Sequence, residues 1–353
     1  MVGGASDQVN IKMRPVRRTQ SGPGACASVE RTYSHTLVMD LAEIVAPRTL
    51  TVNLAPSHRN GLILQSPVLT ASGTFGFGDE YRDLVDLKRL GAIVTKTVTP
   101  ESREGNPTPR TVETPAGMLN SIGLPNPGVE GVLRDKAPIW PELPCPVIVS
   151  VAAHSLSGWT DLASAFDDVP GVRALEANLS CPNVSGGMDF SATPKAAAET
   201  VRATRAGTDL PIIAKLSPNA GEIKPIAQAV EQAGAHAISL INTVLGMVVD
   251  VESRRAFIGA GYGGVSGPAI RPIAVRFVYE AWEAVSVPIV GIGGITSTDD
   301  ALQFLMAGAT AIQVGTATFR QPRTAQEVTD GLASYASDHR LASLQDIVGA
   351  AHR

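Results

Sequence analysis

The chain has 353 residues, 44% hydrophobic and 18% charged, with a formal net charge of -4 at pH 7. This composition suits a soluble globular protein with one large domain or two smaller ones, and it supplies no overall basic field for a nucleic-acid backbone. No stretch reaches the roughly 20 apolar residues that cross a bilayer, and the first residues lack the uninterrupted apolar core of a secretory signal.

Residues 1 to about 50 differ from the rest. Lys12, Arg14, Arg17, Arg18 and Arg31 outnumber Asp7 and Glu30, and Ser, Gly and Thr interrupt any periodicity. The segment is expected to be a disordered or partly ordered extension. Its Arg- and Ser-rich composition also suits an organellar transit peptide, and Met39 offers an alternative start.

From about residue 51, short apolar runs alternate with segments of helical period, the pattern of repeated βα units. Strands are predicted at 67–70, 92–95, 147–151, 174–177, 212–216, 237–241, 289–291 and 311–314. Helices are predicted at 79–90, 128–140, 158–168, 194–206, 222–233, 268–285 and 297–307. Eight such strands predict a closed (β/α)8 TIM barrel occupying residues 51–353. A doubly wound open sheet would bring a GxGxxG turn after its first strand, and none is there. Two long connections, 97–126 and 243–267, carry Pro and Gly and are predicted to be extended active-site loops or lids.

In such a barrel the residues that follow each apolar run face the mouth. Here they are Ala71-Ser72-Gly73, Lys96, Asn178 and then Cys181, Lys215, Asn242-Thr243, Gly293-Gly294 and Gly315-Thr316. Taken singly, each has an ordinary explanation as a solvated lysine, a turn glycine or a capping amide. Together they put two lysines, two amides and a thiol at one opening. Gly291-Ile292-Gly293-Gly294-Ile295 and Gly315-Thr316 also precede helical segments, where backbone N–H groups bind phosphate. A flavin would use both features, because a cation such as Lys215 stabilises the charge of the reduced ring, and Lys96 could serve a flavin or substrate oxygen.

Cys181 lies between Asn178 and Asn183, beside Pro182. A thiolate there can act as base or nucleophile, although a buried inert thiol is equally compatible with the loop alone. The three cysteines, Cys26, Cys145 and Cys181, are widely spaced with no CxxC pair, which argues against a metal cluster and fits a reducing cytoplasm.

Several stretches are dense in motifs: 71–78 (ASGTFGFG), 105–110 (GNPTPR), 118–128 (MLNSIGLPNPG), 178–183 (NLSCPN), 215–219 (KLSPN), 241–243 (INT) and 263–268 (GGVSGP). Over about 51–317 the chain resembles the class 1 dihydroorotate dehydrogenases, above all the catalytic subunit of their NAD-dependent type. The resemblance implies oxidation of dihydroorotate to orotate, in pyrimidine biosynthesis, on an FMN at the barrel mouth. Cys181 would take the proton from C5 while hydride leaves C6 for flavin N5. Cysteine in place of serine as base, and no N-terminal membrane-binding helix pair, match class 1.

By the same resemblance, Ser72, Lys96, Thr97, Asn178, Lys215, Ile241, Gly267, Gly293, Gly294, Gly315 and Thr316 would contact FMN. Lys96, Asn120, Ser121, Ile122, Gly123, Leu124, Asn178, Asn183, Asn242 and Thr243 would hold the substrate. The amides suit a planar ring with alternating donors and acceptors. The NAD-dependent type works with a second subunit carrying FAD and an iron–sulfur cluster around a homodimeric core, so such a partner is implied; the homodimeric fumarate-using type stays open. The chain departs from the pattern in its basic N-terminal extension and in His154, read as a packed or solvated histidine. Rival readings are a non-catalytic flavin-binding barrel, dihydropyrimidine chemistry and RNA dihydrouridine synthesis. The last should add a basic surface and a helical RNA-binding domain after the barrel.

Overall fold

The computed structural model describes residues 50–179 and 193–353. The expectations for residues 1–49, for Cys181 and for Asn183 therefore concern positions outside the described residues.

Eight parallel strands form one sheet: β1 (Val68–Thr70), β2 (Ile93–Val94), β3 (Val147–Val151), β4 (Val172–Asn178), β5 (Ile212–Lys215), β6 (Ala237–Leu240), β7 (Ile289–Ile292) and β8 (Ala311–Val314). Their order is β1-β8-β7-β6-β5-β4-β3-β2. A parallel bridge between Leu69 and Ala92, with Gly91 N–H donating to Val68 O at 2.8 Å, brings β2 back to β1 and closes the barrel. The predicted (β/α)8 architecture is the observed one. Strands such as Val-Ile-Val-Ser-Val of β3 are buried along their whole length, as parallel strands covered on both faces must be.

Alternation sorts the interior into layers. Leu69, Val94, Ile148, Ala174, Ile213, Ala237, Val290 and Ala311 cluster with Val52, Leu54, Ala55, Leu62 and Leu64. The latter come from a hairpin, Val52–Asn53 paired with Ile63–Leu64, which plugs the N-terminal end of the barrel. Asn53 Oδ1 holds its turn by accepting from the N–H of Ala55 (3.0 Å) and Leu62 (2.9 Å). Two residues further along the strands the layer becomes polar: Ser150, Glu176, Lys215, Ser239 and Gln313 are all buried. Polar groups therefore enter the barrel only toward its C-terminal mouth.

The helices on the outside are α1 (Gly128–Asp135), α2 (Leu156–Phe166), α3 (Pro194–Ala206), α4 (Ile223–Gln232), α5 (Arg271–Trp282), α6 (Thr298–Met306), α7 (Ala317–Arg320) and α8 (Thr324–Asp338). Starts follow the side-chain chemistry: Ser155, Thr193 and Ser297 each accept a backbone N–H three residues on, and Pro194 opens α3.

Three predicted helices differ. Over 79–90 the chain forms turns and a short 3-10 helix at Leu87–Arg89. Glu80 there folds back onto the N–H of Phe77 (2.8 Å) and Gly78 (3.1 Å), and Asp86 caps Lys88 N–H, so side chains outcompete the α-helical ladder. The helix expected over 128–140 ends at Asp135, because Pro138 supplies no N–H, and continues as a 3-10 segment, Ala137–Glu142. That expected over 268–285 divides into a 3-10 turn, Pro268–Ile270, and α5.

Helix α8 follows the last strand without having been predicted. The two long connections also meet as an antiparallel sheet of four strands in the order Val244–Gly246, Gly263–Ser266, Gly117–Asn120, Thr111–Thr114. Gly117 permits the crossing: a Cβ there would lie 1.9 Å from Ser266 O.

Candidate active site

A cavity of about 330 Å³ opens at the C-terminal ends of the barrel strands and is roofed by the four-stranded sheet. Ser72, Lys96, Thr97, Asn178, Lys215, Ile241, Gly267, Gly293, Gly294, Gly315 and Thr316 all line it, as do Asn120, Ile122, Gly123, Leu124, Asn242 and Thr243. Ser121 does not. It is buried behind the loop, where its hydroxyl accepts from Asn106 Nδ2 at 2.8 Å. His154 stays exposed and meets Arg103 Nη1 at 3.2 Å, away from the cavity.

Strand register places the central polar groups side by side, since Asn178 at the end of β4 pairs with Lys215 of β5. Thr97 ties the floor together: its hydroxyl lies 3.0 Å from Ser72 Oγ and 2.9 Å from Ser150 Oγ, and it accepts from Asn178 Nδ2 at 3.4 Å. Asn242 Nδ2 donates to Asn178 Oδ1 at 3.3 Å, and Asn242 Oδ1 accepts Thr243 N–H at 2.8 Å. The amides are thus oriented before any ligand arrives.

Asn219 carried no assigned role in the sequence, yet it lines the cavity. Its Nδ2 donates to Thr243 O at 2.9 Å and its Oδ1 accepts Leu245 N–H at 2.9 Å. It closes the quoted Lys-Leu-Ser-Pro-Asn motif, which was the available signal.

The electrostatics are one-sided. Among the described residues the lining holds two lysines, Lys96 and Lys215, and no carboxylate. Lys215 Nζ is 3.6 Å from Glu176 Oε1 beneath it. Lys96 has no side-chain partner among the described residues, and burial pushes its ammonium below the ordinary lysine value. An anion entering the cavity would supply the missing partner.

One wall is built for close backbone approach. Gly293 and Gly294 have positive φ (132° and 74°), and a Cβ on Gly294 would lie 2.7 Å from Gly267 O. Beyond them Asp300 accepts from Thr296 N–H (2.9 Å) and Oγ1 (2.7 Å) and from Arg271, while Thr316 Oγ1 donates to Ser266 Oγ at 2.7 Å. Cys145 takes no part: it is buried on the outside of the barrel and burial pushes its thiol up to about 12.

The sequence model described as dihydroorotate dehydrogenase matches residues 56–335. The chain belongs to the dihydroorotate dehydrogenase family. Three of its relatives in that family are named dihydroorotate dehydrogenase B (NAD(+)), catalytic subunit. The one from Desulforudis audaxviator is 51% identical over 294 residues, which are 83% of this chain and 96% of the relative. That from Pelobacter propionicus is 48% identical over 302 residues, 85% of this chain and 98% of the relative. That from Desulforamulus reducens is 49% identical over 288 residues, 81% and 95% respectively. Among the described residues of this dihydroorotate dehydrogenase homologue, no helix is long and apolar enough to cross a membrane, and no group of three or more His, Cys, Asp or Glu could hold a metal ion.

Proposed function

We propose that this chain oxidises dihydroorotate to orotate as the FMN-bearing catalytic subunit of an NAD-linked dihydroorotate dehydrogenase. The observation that carries the reading is the cavity whose described lining holds no carboxylate and in which two lysines face a set of pre-oriented amides. The family match and the names and coverage of the relatives support it. The enzymes of this family are flavin-dependent.

The cavity residues fit FMN. The buried Lys96 ammonium and the Lys215 ammonium suit a ring that becomes anionic, and the Gly293–Gly294 wall suits a phosphate. Ser72, Thr97, Asn178, Ile241, Gly267, Gly315 and Thr316 would complete the contacts. When bound, the flavin supplies hydride acceptance. The chain supplies the rest. Lys96 offsets the substrate carboxylate, and Asn120, Asn178, Asn183 and Asn242, with Thr243 and residues 122–124, hold the ring by its donors and acceptors. Cys181 takes the C5 proton. The four-stranded sheet covers the cavity, with Met118, Leu245 and Gly264 in its lining, and would limit the access of water to a bound ligand.

Residues 51–353 act as one FMN-binding unit, with 1–50 as an extension, in the cytoplasm. A second subunit carrying FAD and an iron–sulfur cluster passes electrons to NAD, on a homodimeric core. Exposed Leu245, Met247, Val249, Val251, Phe257 and Tyr262 in the connection after β6 support an interaction surface on this chain.

The test is to purify the chain, record its flavin spectrum and add dihydroorotate without oxygen. Bleaching of the flavin absorbance is expected, and Cys181→Ala should keep the flavin while losing at least about a hundredfold in bleaching rate. A colourless protein after FMN is supplied removes the flavin reading, and a yellow protein that fails to bleach removes the substrate assignment.

A further inference from the structure

Directly beneath the cavity floor lies an acid that no step of the proposed reaction uses. Glu176 is fully buried on β4, two residues before Asn178 and on the same inward face. Its Oε2 accepts from Ser239 Oγ of β6 at 3.1 Å and from Gln313 Nε2 of β8 at 2.8 Å. Its Oε1 has no hydrogen-bond partner among the described residues and stands 3.6 Å from Lys215 Nζ.

Lys215 lies between this carboxylate and the cavity it lines, its side chain 7% exposed. A lysine ammonium has three donors and no acceptor, so a single carboxylate oxygen below leaves donors for a ligand above. The two lysines of the floor consequently differ. Among the described residues Lys96 presents its charge unopposed, whereas the charge of Lys215 is offset by an acid that is itself shared among Ser239, Gln313 and the lysine.

A polar filler alone does not explain the arrangement. The two neutral donors both sit on Oε2, leaving Oε1 open toward the lysine only, and a buried acid is retained where an apolar side chain would fill the barrel with less desolvation. We propose that Glu176 is a positioning residue: it holds Lys215 at the cavity floor and sets how much of that positive charge reaches the flavin ring. The inference rests on the FMN reading above. Removing the negative charge should make the bound flavin easier to reduce. Removing a donor that offsets the carboxylate should do the opposite, because more of its charge then opposes Lys215.

The experiment is a midpoint-potential titration of the FMN-loaded full chain against reference dyes, for wild type, Glu176→Gln and Ser239→Ala. Glu176→Gln should raise the reduced-to-oxidised ratio at fixed potential about tenfold, equivalent to about 30 mV for a two-electron couple. Ser239→Ala should lower that ratio by a smaller factor. A role confined to packing lowers the melting temperature of both variants without opposite shifts in potential, and that result overturns the proposal. Should Glu176→Gln fail to retain FMN, Ser239→Ala decides alone, and an unchanged potential there overturns it. Wild-type protein that binds no FMN removes the functional reading itself, a failure seen before any variant is compared.

Discussion

Lys96 and Lys215 line one cavity in different surroundings: Glu176 stands 3.6 Å from Lys215, and no side chain among the described residues pairs with Lys96. Burial lowers the Lys96 pKa from the ordinary 10.5. In the window between the folded value and 10.5 the unfolded chain therefore binds more protons than the folded one, so stability rises with pH there. The contribution is complete above the unfolded value and is lost as pH falls through the folded one. Ligand-free protein should accordingly gain melting temperature, relative to Lys96→Met, as pH climbs toward 10.5, and orotate binding should weaken over the same window as the ammonium loses its proton. A pH-independent difference between wild type and variant would remove this account. Cys145 behaves in the opposite sense: with its thiol pushed up to about 12 it stays protonated at pH 8, and iodoacetamide mapped by peptide mass should leave it unlabelled in the native protein. At this scale the sequence was legible wherever a polar residue followed an apolar run, since the barrel aims such residues at its mouth. Glu176, Ser239 and Gln313 were hidden because each sits inside its run, and only the two-residue alternation back from Asn178 would have exposed the acid. Ser121 misled for the complementary reason: it stands in a motif of cavity residues but points behind the loop to Asn106.

Elements around the mouth are fixed by a few side-chain-to-backbone bonds more than by propensity. Asp300 is the clearest case. It sits in the first turn of α6, buried, and takes Thr296 N–H, Thr296 Oγ1 and the Arg271 guanidinium at once, tying α5 and α6 to the turn that follows Gly293–Gly294. Asp300→Ala leaves those donors unpaired and should cost about 2–3 kcal/mol in urea unfolding. It should also weaken FMN retention, because the glycine wall loses its anchor; a variant as stable and as yellow as wild type would refute the role. The predicted elements that survived intact, such as α3 with Thr193 and Pro194 at its start, carried their own boundary chemistry. Those that changed were decided by competitors that periodicity does not register, Glu80 and Asp86 in one case and Pro138 in another. Helix α8 was legible in principle, for Ala325, Val328, Leu332 and Ala336 recur at helical spacing on its buried face. The four-stranded roof was not, since its two local pairs join through Gly264–Ser266 against Met118–Asn120, more than a hundred residues apart, and depend on the close passage of Gly117 by Ser266.

Across the whole molecule, stability and chemistry occupy opposite ends of the barrel. The hairpin at Val52–Leu64 packs Leu54, Leu62 and Leu64 against the apolar layer formed by Leu69, Val94, Ile148 and their neighbours, and the polar layer with Glu176 separates that plug from the cavity. Nothing at the plugged end lines the cavity. Leu54 is fully buried there, so Leu54→Ala removes a well-packed side chain from a site held between the hairpin and the strands. The expected loss is about 2–5 kcal/mol, the range for leucine truncation in a core that collapses only partly. Because the cavity floor is carried by strand ends on the far side of two interior layers, the variant should keep the flavin spectrum, the FMN midpoint potential and the KM for dihydroorotate below its lowered melting temperature. Stability is read from thermal unfolding and the other quantities from titrations of the folded protein at a temperature well under that transition. A fall in FMN affinity in step with the loss of stability would mean that the barrel interior transmits the cavity left at its base to the mouth, and the division of labour between the two ends would have to be abandoned.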